Sequence, residues 1–199
     1  MKYIIDKNNL IINVDNNNVD KVINNTKRII KKCDKNNYNL VYDIKEELDK
    51  SKAADLKMIE KAINIKSKEE RYNYIYDTVC DILDKRIVEE NYCEFKDDVC
   101  IRFRIENPNH KNGCCEWKGR GKCKYLINSE CTMKTCMACK LFICPFLYKE
   151  KGIKQRPNDF VLIKYFFNRN QKYILECSYW TPKEIVMKRL LNNSMKINE

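Results

Sequence analysis

Hydrophobic and polar positions change period several times along the first 65 residues. Tyr3-Ile4-Ile5 and Leu10-Ile11-Ile12-Val14 are short apolar runs separated by Asp6-Lys7-Asn8-Asn9, the pattern of a β-hairpin. Val19, Val22, Ile23, Thr26, Ile29, Ile30 and Cys33 then recur at the spacing of one helical face, with Asn17 or Asn18 placed to cap it. Two more helices are predicted, over residues 41–50 and 53–65. The second carries the stripe Leu56, Ile59, Ala62 and Ile63. The Asn-rich runs between these segments predict loops.

Ser67-Lys68-Glu69-Glu70 has the form of a capping box. It opens a strongly amphipathic helix through Tyr72, Ile75, Tyr76, Val79, Leu83 and Ile87, which should end just before Cys93. Helical pattern returns at Pro157-Asn158-Asp159 and the apolar run that follows. Residues 173–177 read equally as helix or strand. Thr181-Pro182-Lys183-Glu184 predicts another start, with Thr at N-cap and Pro at the first helical position, followed by Ile185, Val186, Leu190 and Leu191. There is no internal repeat. The expected fold is mainly α: a helical region over 1–66, then 67–199 as a domain holding a loop-rich cysteine-cluster metal module at about 93–147 flanked by helices.

Composition narrows the class. The chain has 199 residues, 44% hydrophobic and 34% charged, with only 4 Gly and 4 Pro. That balance suits a folded, helix-rich protein with a real core. No run approaches the roughly 20 apolar residues that span a bilayer, and the first 15 residues lack the apolar stretch of a secretory signal. The expectation is a cytoplasmic protein without a membrane partner. Against that background two features stand out, 12 Cys and a net charge of +11.

Nine of the cysteines fall between Cys93 and Cys144, whereas Cys33 and Cys80 lie on or beside apolar helical stripes and read as core thiols. In a reducing compartment such a cluster points to soft metal ligation rather than disulfides. Thiolates suit Zn²⁺ or an iron–sulfur cluster and not Ca²⁺ or Mg²⁺. Gly113-Cys114-Cys115 has Gly where a tight turn is expected, and two adjacent cysteines are expected to serve two metals more easily than one. Cys136-Met-Ala-Cys139 has the spacing of a metal knuckle, and Cys144-Pro145 resembles the end of a cluster loop.

The string Cys114-Cys115, Cys123-Lys-Tyr-Leu126, Cys131-Thr-Met and Cys139-Lys-Leu-Phe142-Ile-Cys144 resembles the YkgJ-type cysteine-cluster proteins of the zinc- or iron-chelating type. The match runs from Gly113 to Cys144. Cys93-x6-Cys100 stands where the family has a closer pair, Lys140 where it has Arg, and Met133-Lys134 where it has Ile-Tyr. The resemblance implies eight metal ligands: Cys93, Cys100, Cys114, Cys115, Cys123, Cys131, Cys139 and Cys144. It implies metal chelation, with the ion or cluster as partner, and leaves zinc and iron–sulfur open. The crowding of thiols and the Cys-Pro ending favour iron. Redox sensing, electron transfer and metal handling are the corresponding uses.

Other readings compete. Cys131-x4-Cys136-x2-Cys139 has plant-type [2Fe–2S] spacing and needs a distant fourth thiol such as Cys177. His110, the only histidine, is either a mixed-site ligand or a solvated loop residue. Nine Lys and Arg against two Glu between 118 and 154, with Trp117, Tyr125 and Phe142, suggest a zinc-stapled module that binds nucleic acid or a protein. The same cations would also offset cluster charge, since eight thiolates on two Zn²⁺ carry about −4. An enzyme using an iron–sulfur centre is the third reading, although no nucleotide-binding glycine pattern or triad motif is present.

Overall fold

A computed structural model describes residues 3–90, 95–96, 99–100, 126–127, 130–131 and 136–196. The described chain is mainly helical, with one small three-stranded sheet. It divides into two compact units. The first comprises residues 1–76, 157–174 and 187–199; the second comprises 77–156 and 175–186.

In the first unit the expected hairpin forms from β1 (Ile4–Asp6) and β2 (Asn9–Val14), paired antiparallel with Ile4 opposite Ile11. In β2 the side chains of Leu10, Ile12 and Val14 are buried and alternate with more exposed neighbours. Asp15 then organises the first helix. Its carboxylate accepts from the Asn17 and Asn18 N–H groups at 3.0 and 2.9 Å. Asn18 does occupy the N-cap position of α1 (Val19–Asn24), but its side chain bonds Asp15 and Asn13 rather than the helix.

The single apolar stripe from Val19 to Cys33 is carried by two helices, α1 and α2 (Thr26–Asn36). Asn25 separates them. Its amide donates to the Lys21 carbonyl at 2.7 Å, and the Thr26 hydroxyl donates to the Ile23 carbonyl at 2.6 Å. Short polar side chains compete here with the main-chain ladder. α2 ends with Asn37 in the left-handed region (φ 53°) and the Tyr38 N–H on the Cys33 carbonyl at 3.0 Å, a Schellman-type stop.

The helix expected over 41–50 does not form. β3 (Asn39–Ile44) lies there instead, parallel to β2 with Leu10 opposite Leu40 and Ile12 opposite Tyr42. The segment Leu40-Val41-Tyr42-Asp43-Ile44 alternates buried and more exposed positions, and a long-range partner turns that alternation into a strand. Asp49 then caps α3 (Lys50–Asn64), accepting from the Ser51 and Lys52 N–H groups. At the far end of α3 the Asn64 amide both accepts from the Leu40 N–H (2.7 Å) and donates to its carbonyl (2.9 Å). It closes the free edge of β3 much as another strand would.

Leu10, Ile12, Val22, Ile29, Cys33, Leu40, Leu56, Ile59 and Ile63 form one buried core, with Val161 and Phe166 packed against it. Each such aliphatic side chain contributes about 1.5–3 kcal/mol by leaving water. Cys33 is thus a core thiol, as its stripe position predicts. α4 (Lys68–Glu90) opens with the Glu70 N–H on the Ser67 hydroxyl at 3.3 Å and ends close to the predicted place. A 3₁₀ turn at Pro157–Asp159 leads into α7 (Val161–Phe166), and α8 (Arg169–Cys177) settles the ambiguous 173–177 segment as helix. α9 (Lys183–Asn192) begins with the Pro182 carbonyl accepting from Ile185 and Val186, one residue later than Thr181 capping predicts.

The second unit contains the later part of α4, two minimal hairpins, and two short helices. The hairpins are β4 (Phe95–Lys96) with β5 (Val99–Cys100), and β6 (Leu126–Ile127) with β7 (Glu130–Cys131). The helices are α5 (Met137–Leu141) and α6 (Pro145–Glu150). Val79, Cys80, Leu83, Met137, Ala138, Leu141, Leu147, Leu175 and Val186 are buried. Among the described residues no helix is long and apolar enough to cross a membrane.

Candidate thiolate centre

The chemistry of the second unit centres on the start of α5. Cys136 occupies the N-cap position of that helix in extended conformation and is fully buried, while Cys139 lies one turn on and is partly exposed. The two-residue spacing and the helical turn bring both sulfurs to the same side. The Cys139 side chain hydrogen-bonds the Cys136 sulfur, which makes no cap bond to the N–H groups of α5 itself.

A second segment completes the surround. Trp180 adopts a left-handed backbone (φ 53°), uncommon for a large side chain. With that turn, the N–H groups of Trp180 and Thr181 both donate to the Cys136 sulfur. Successive amides aimed at one point make an anion-binding concavity. The Cys136 thiol is accordingly pushed down to about 6, first by the Cys139 side chain and then by nearby backbone N–H groups, against an upward push from burial. When protonated, the same sulfur donates to the Ser178 carbonyl at 3.5 Å.

Aromatic rings flank the pair. Phe142 meets Tyr179 edge-on at 6.4 Å between centroids, and Tyr179 lies 5.9 Å from Trp180. Burial raises the Tyr179 hydroxyl, with the negative charge of Cys139 the next cause, which puts that thiol close by. A cleft of about 280 Å³ opens beside these rings, lined among others by Phe142, Tyr148, Lys154, Arg156 and Tyr179.

Lys140 follows Cys139 directly. Its side chain is only 9% exposed and pairs with the Asp84 carboxylate, while its main-chain carbonyl accepts from the Gln155 amide at 2.9 Å. Cys80 is buried nearby, and burial pushes its thiol up to about 12, with Lys140 opposing. It therefore stays protonated and apolar in character, as expected from its stripe position.

Of the eight thiols implied by the cysteine pattern, Cys93, Cys114, Cys115 and Cys123 lie outside the described residues, as does His110. Cys100 and Cys131 are described only as backbone partners in their hairpins, opposite Phe95 and Leu126. Cys139 lies beside Cys136. Cys144 caps α6, its sulfur accepting from the Leu147 N–H at 3.4 Å. Among the described residues, no three Cys, His, Asp or Glu side chains form a group able to hold a metal ion. Cys177 is exposed at the end of α8. Cys136 is not among those eight, and the Cys136-x2-Cys139 and Cys131-x4-Cys136 spacings are the sequence signals that mark it. The N–H donors from 180 and 181 have no sequence signal apart from the tertiary turn that brings them.

The chain finds no match among protein-family models, curated proteins or solved structures.

Proposed function

We propose that this is a metal-binding cysteine-cluster protein in which Cys136 and Cys139 supply two thiolates to a zinc ion or an iron–sulfur centre. The observation that carries the reading is the Cys139 side chain and the amide N–H groups of Trp180 and Thr181 converging on one buried sulfur. A neutral thiol needs no such set of donors, whereas a thiolate ligand is stabilised by it. The donor chemistry fits a soft cation. The remaining sulfurs of the centre come from the cysteines between Cys93 and Cys144 that the resemblance to the YkgJ-type cluster implies. The bound ion or cluster would cross-link cysteine loops, and an iron–sulfur centre would add one-electron chemistry. A cytoplasmic location, where thiols stay reduced, suits both.

This chain's own residues shape that centre. The aromatic rings of Phe142, Tyr179 and Trp180 pack against one another beside the pair. Lys140 holds a positive charge next to Cys139 in sequence, its ammonium paired with Asp84 and its main-chain carbonyl bonded by Gln155.

The test is anaerobic purification followed by metal and sulfide analysis with an absorption spectrum. A brown protein with iron and sulfide identifies a cluster; a colourless protein with stoichiometric zinc identifies a zinc site. Cys136→Ser and Cys139→Ser should each remove at least half of the bound metal, with helix content by circular dichroism retained. Metal-free protein, or metal content unchanged in both variants, would remove the proposal.

A further inference from the structure

The strongest unassigned feature lies in the first unit, away from the thiols. That unit carries 22 Lys and Arg against 14 Asp and Glu, a net +8 of the chain's +11. Much of the charge lies on α2, whose exposed positions include Lys27, Arg28, Lys31 and Lys35 alongside Asp34 and Asn36. Three cations from three elements meet there: Lys27 of α2, Lys164 of α7 and Lys172 of α8. The Lys172 ammonium is held by neutral acceptors, Asn158 Oδ1 at 2.6 Å and the Lys164 carbonyl at 3.2 Å. Its pKa is lowered, first by burial and then by Lys27 and Lys164. Among the described residues, none of the three is in an ion pair. Like charges gathered without a counter-charge cost free energy that a bound anion would recover.

Lys164 also links this cluster to a cleft. Its ammonium stands 5.0 Å from the centroid of the Tyr165 ring, and Tyr165 lines a cleft of about 440 Å³ with Ile30, Phe166 and Tyr72. Lys66, Lys68 and Arg71 line the same cleft, with the Lys68 ammonium 5.5 Å from the centroid of the Tyr72 ring. Asp34 neutralises Arg71 through two hydrogen bonds of 3.0 and 3.3 Å. Among the described residues Lys66 and Lys68 form no ion pair, donating to the carbonyls of Tyr38 and Leu191, with Lys68 also standing over the Tyr72 ring. The cleft thus carries aromatic rings with Lys66 and Lys68 beside them, and Lys164 joins it to the cation cluster. α2 covers about 10 Å from Lys27 to Asp34 at its ordinary rise.

We infer that this α2–α7 groove binds single-stranded nucleic acid, with phosphates on the two lysine groups and a base in the aromatic cleft. Stacking surfaces flanked by cations are the general solution for a single strand, and the cleft volume suits one flat ring system. A membrane is disfavoured because none of the large exposed apolar side chains lies on α2 or α7.

The probe is a fluorescein-labelled 12-nucleotide random single strand, read by anisotropy with the purified full chain. Binding should be clear at 50 mM salt and at least tenfold weaker at 300 mM, as counter-ion release requires. A duplex of equal length should bind more weakly. Lys27→Gln/Lys172→Gln should lower affinity at least tenfold, and Lys50→Gln/Lys57→Gln on α3, which removes equal charge, less than threefold. Lys27→Gln alone, on an exposed position, should still cost about threefold, so a folding defect at Lys172 does not decide the matter. No binding at 50 mM salt, equal losses in both double variants, tighter duplex binding, or binding to anionic vesicles without binding to the oligonucleotide would each overturn the inference. Metal content plays no part in this readout, so its failure is distinct from failure of the thiolate centre.

Discussion

Tyr42 shows how much a single buried atom can matter. Its ring completes the core of the first unit, yet its hydroxyl is buried without a hydrogen-bond partner among the described residues. Burial, then the charges of Glu60 and Cys33, push its ionisation well above the ordinary tyrosine value. Folding thus favours the neutral phenol. The unfolded chain ionises first as pH rises through about 10, so stability falls from there upward until the folded group ionises too. Tyr42→Phe keeps the ring and discards the unsatisfied oxygen. It should stabilise the protein by about 1 kcal/mol at neutral pH and flatten the loss of melting temperature above pH 10. A lower melting temperature for the variant at both pH values would contradict this account. The sequence pattern places residue 42 in a helix over 41–50 and does not mark its burial, and the stranded hydroxyl was not legible either, because it depends on which side chains stop short of it.

At the scale of elements, α8 is held by one buried glutamine. The Gln171 N–H donates to Asn168 Oδ1 (2.9 Å), while Gln171 Oε1 accepts from the Asn168 N–H (3.0 Å), a reciprocal cap of the helix start. Its amide also donates to the Tyr72 hydroxyl (2.8 Å) and the Leu190 carbonyl (3.0 Å), tying α8 to α4 and α9. Gln171→Ala leaves those buried groups without partners and should cost about 2–3 kcal/mol, read from urea unfolding. A loss below about 0.5 kcal/mol, the level of an ordinary surface change, would show that water replaces the amide. Element types were largely readable: the hairpin, the α3 stripe and the α4 box each carry a local signal. The strand β3 and the break at Asn25 were not, since the first requires β2 as neighbour and the second a side-chain bond to the preceding turn.

For the whole molecule, the proposed centre and the aliphatic core make different demands. The core built on Leu10, Ile12, Leu40 and Ile59 contains one thiol, Cys33, whose pKa burial raises. It needs no metal. The 136–150 segment, by contrast, has two short helices and a sulfur pair at its start. Chelation of the purified holoprotein should therefore accelerate amide hydrogen exchange in residues 136–150 and in the 178–181 turn by at least tenfold, with β2 and α3 changed less than threefold. Uniform acceleration, or none, would sink the idea that metal organises the second unit alone.

The sequence by itself determined the helical class, the hairpin, the buried positions of Cys33 and Cys80, and the crowding of thiols between Cys93 and Cys144, because each is written in local period or composition. Tertiary structure alone decided that Cys136 receives the amides of a turn over forty residues away. It also decided that Lys27, Lys164 and Lys172 meet, and that 39–44 is a strand. Those outcomes depend on chain segments meeting in space, and no periodicity in one segment encodes the neighbour it will find.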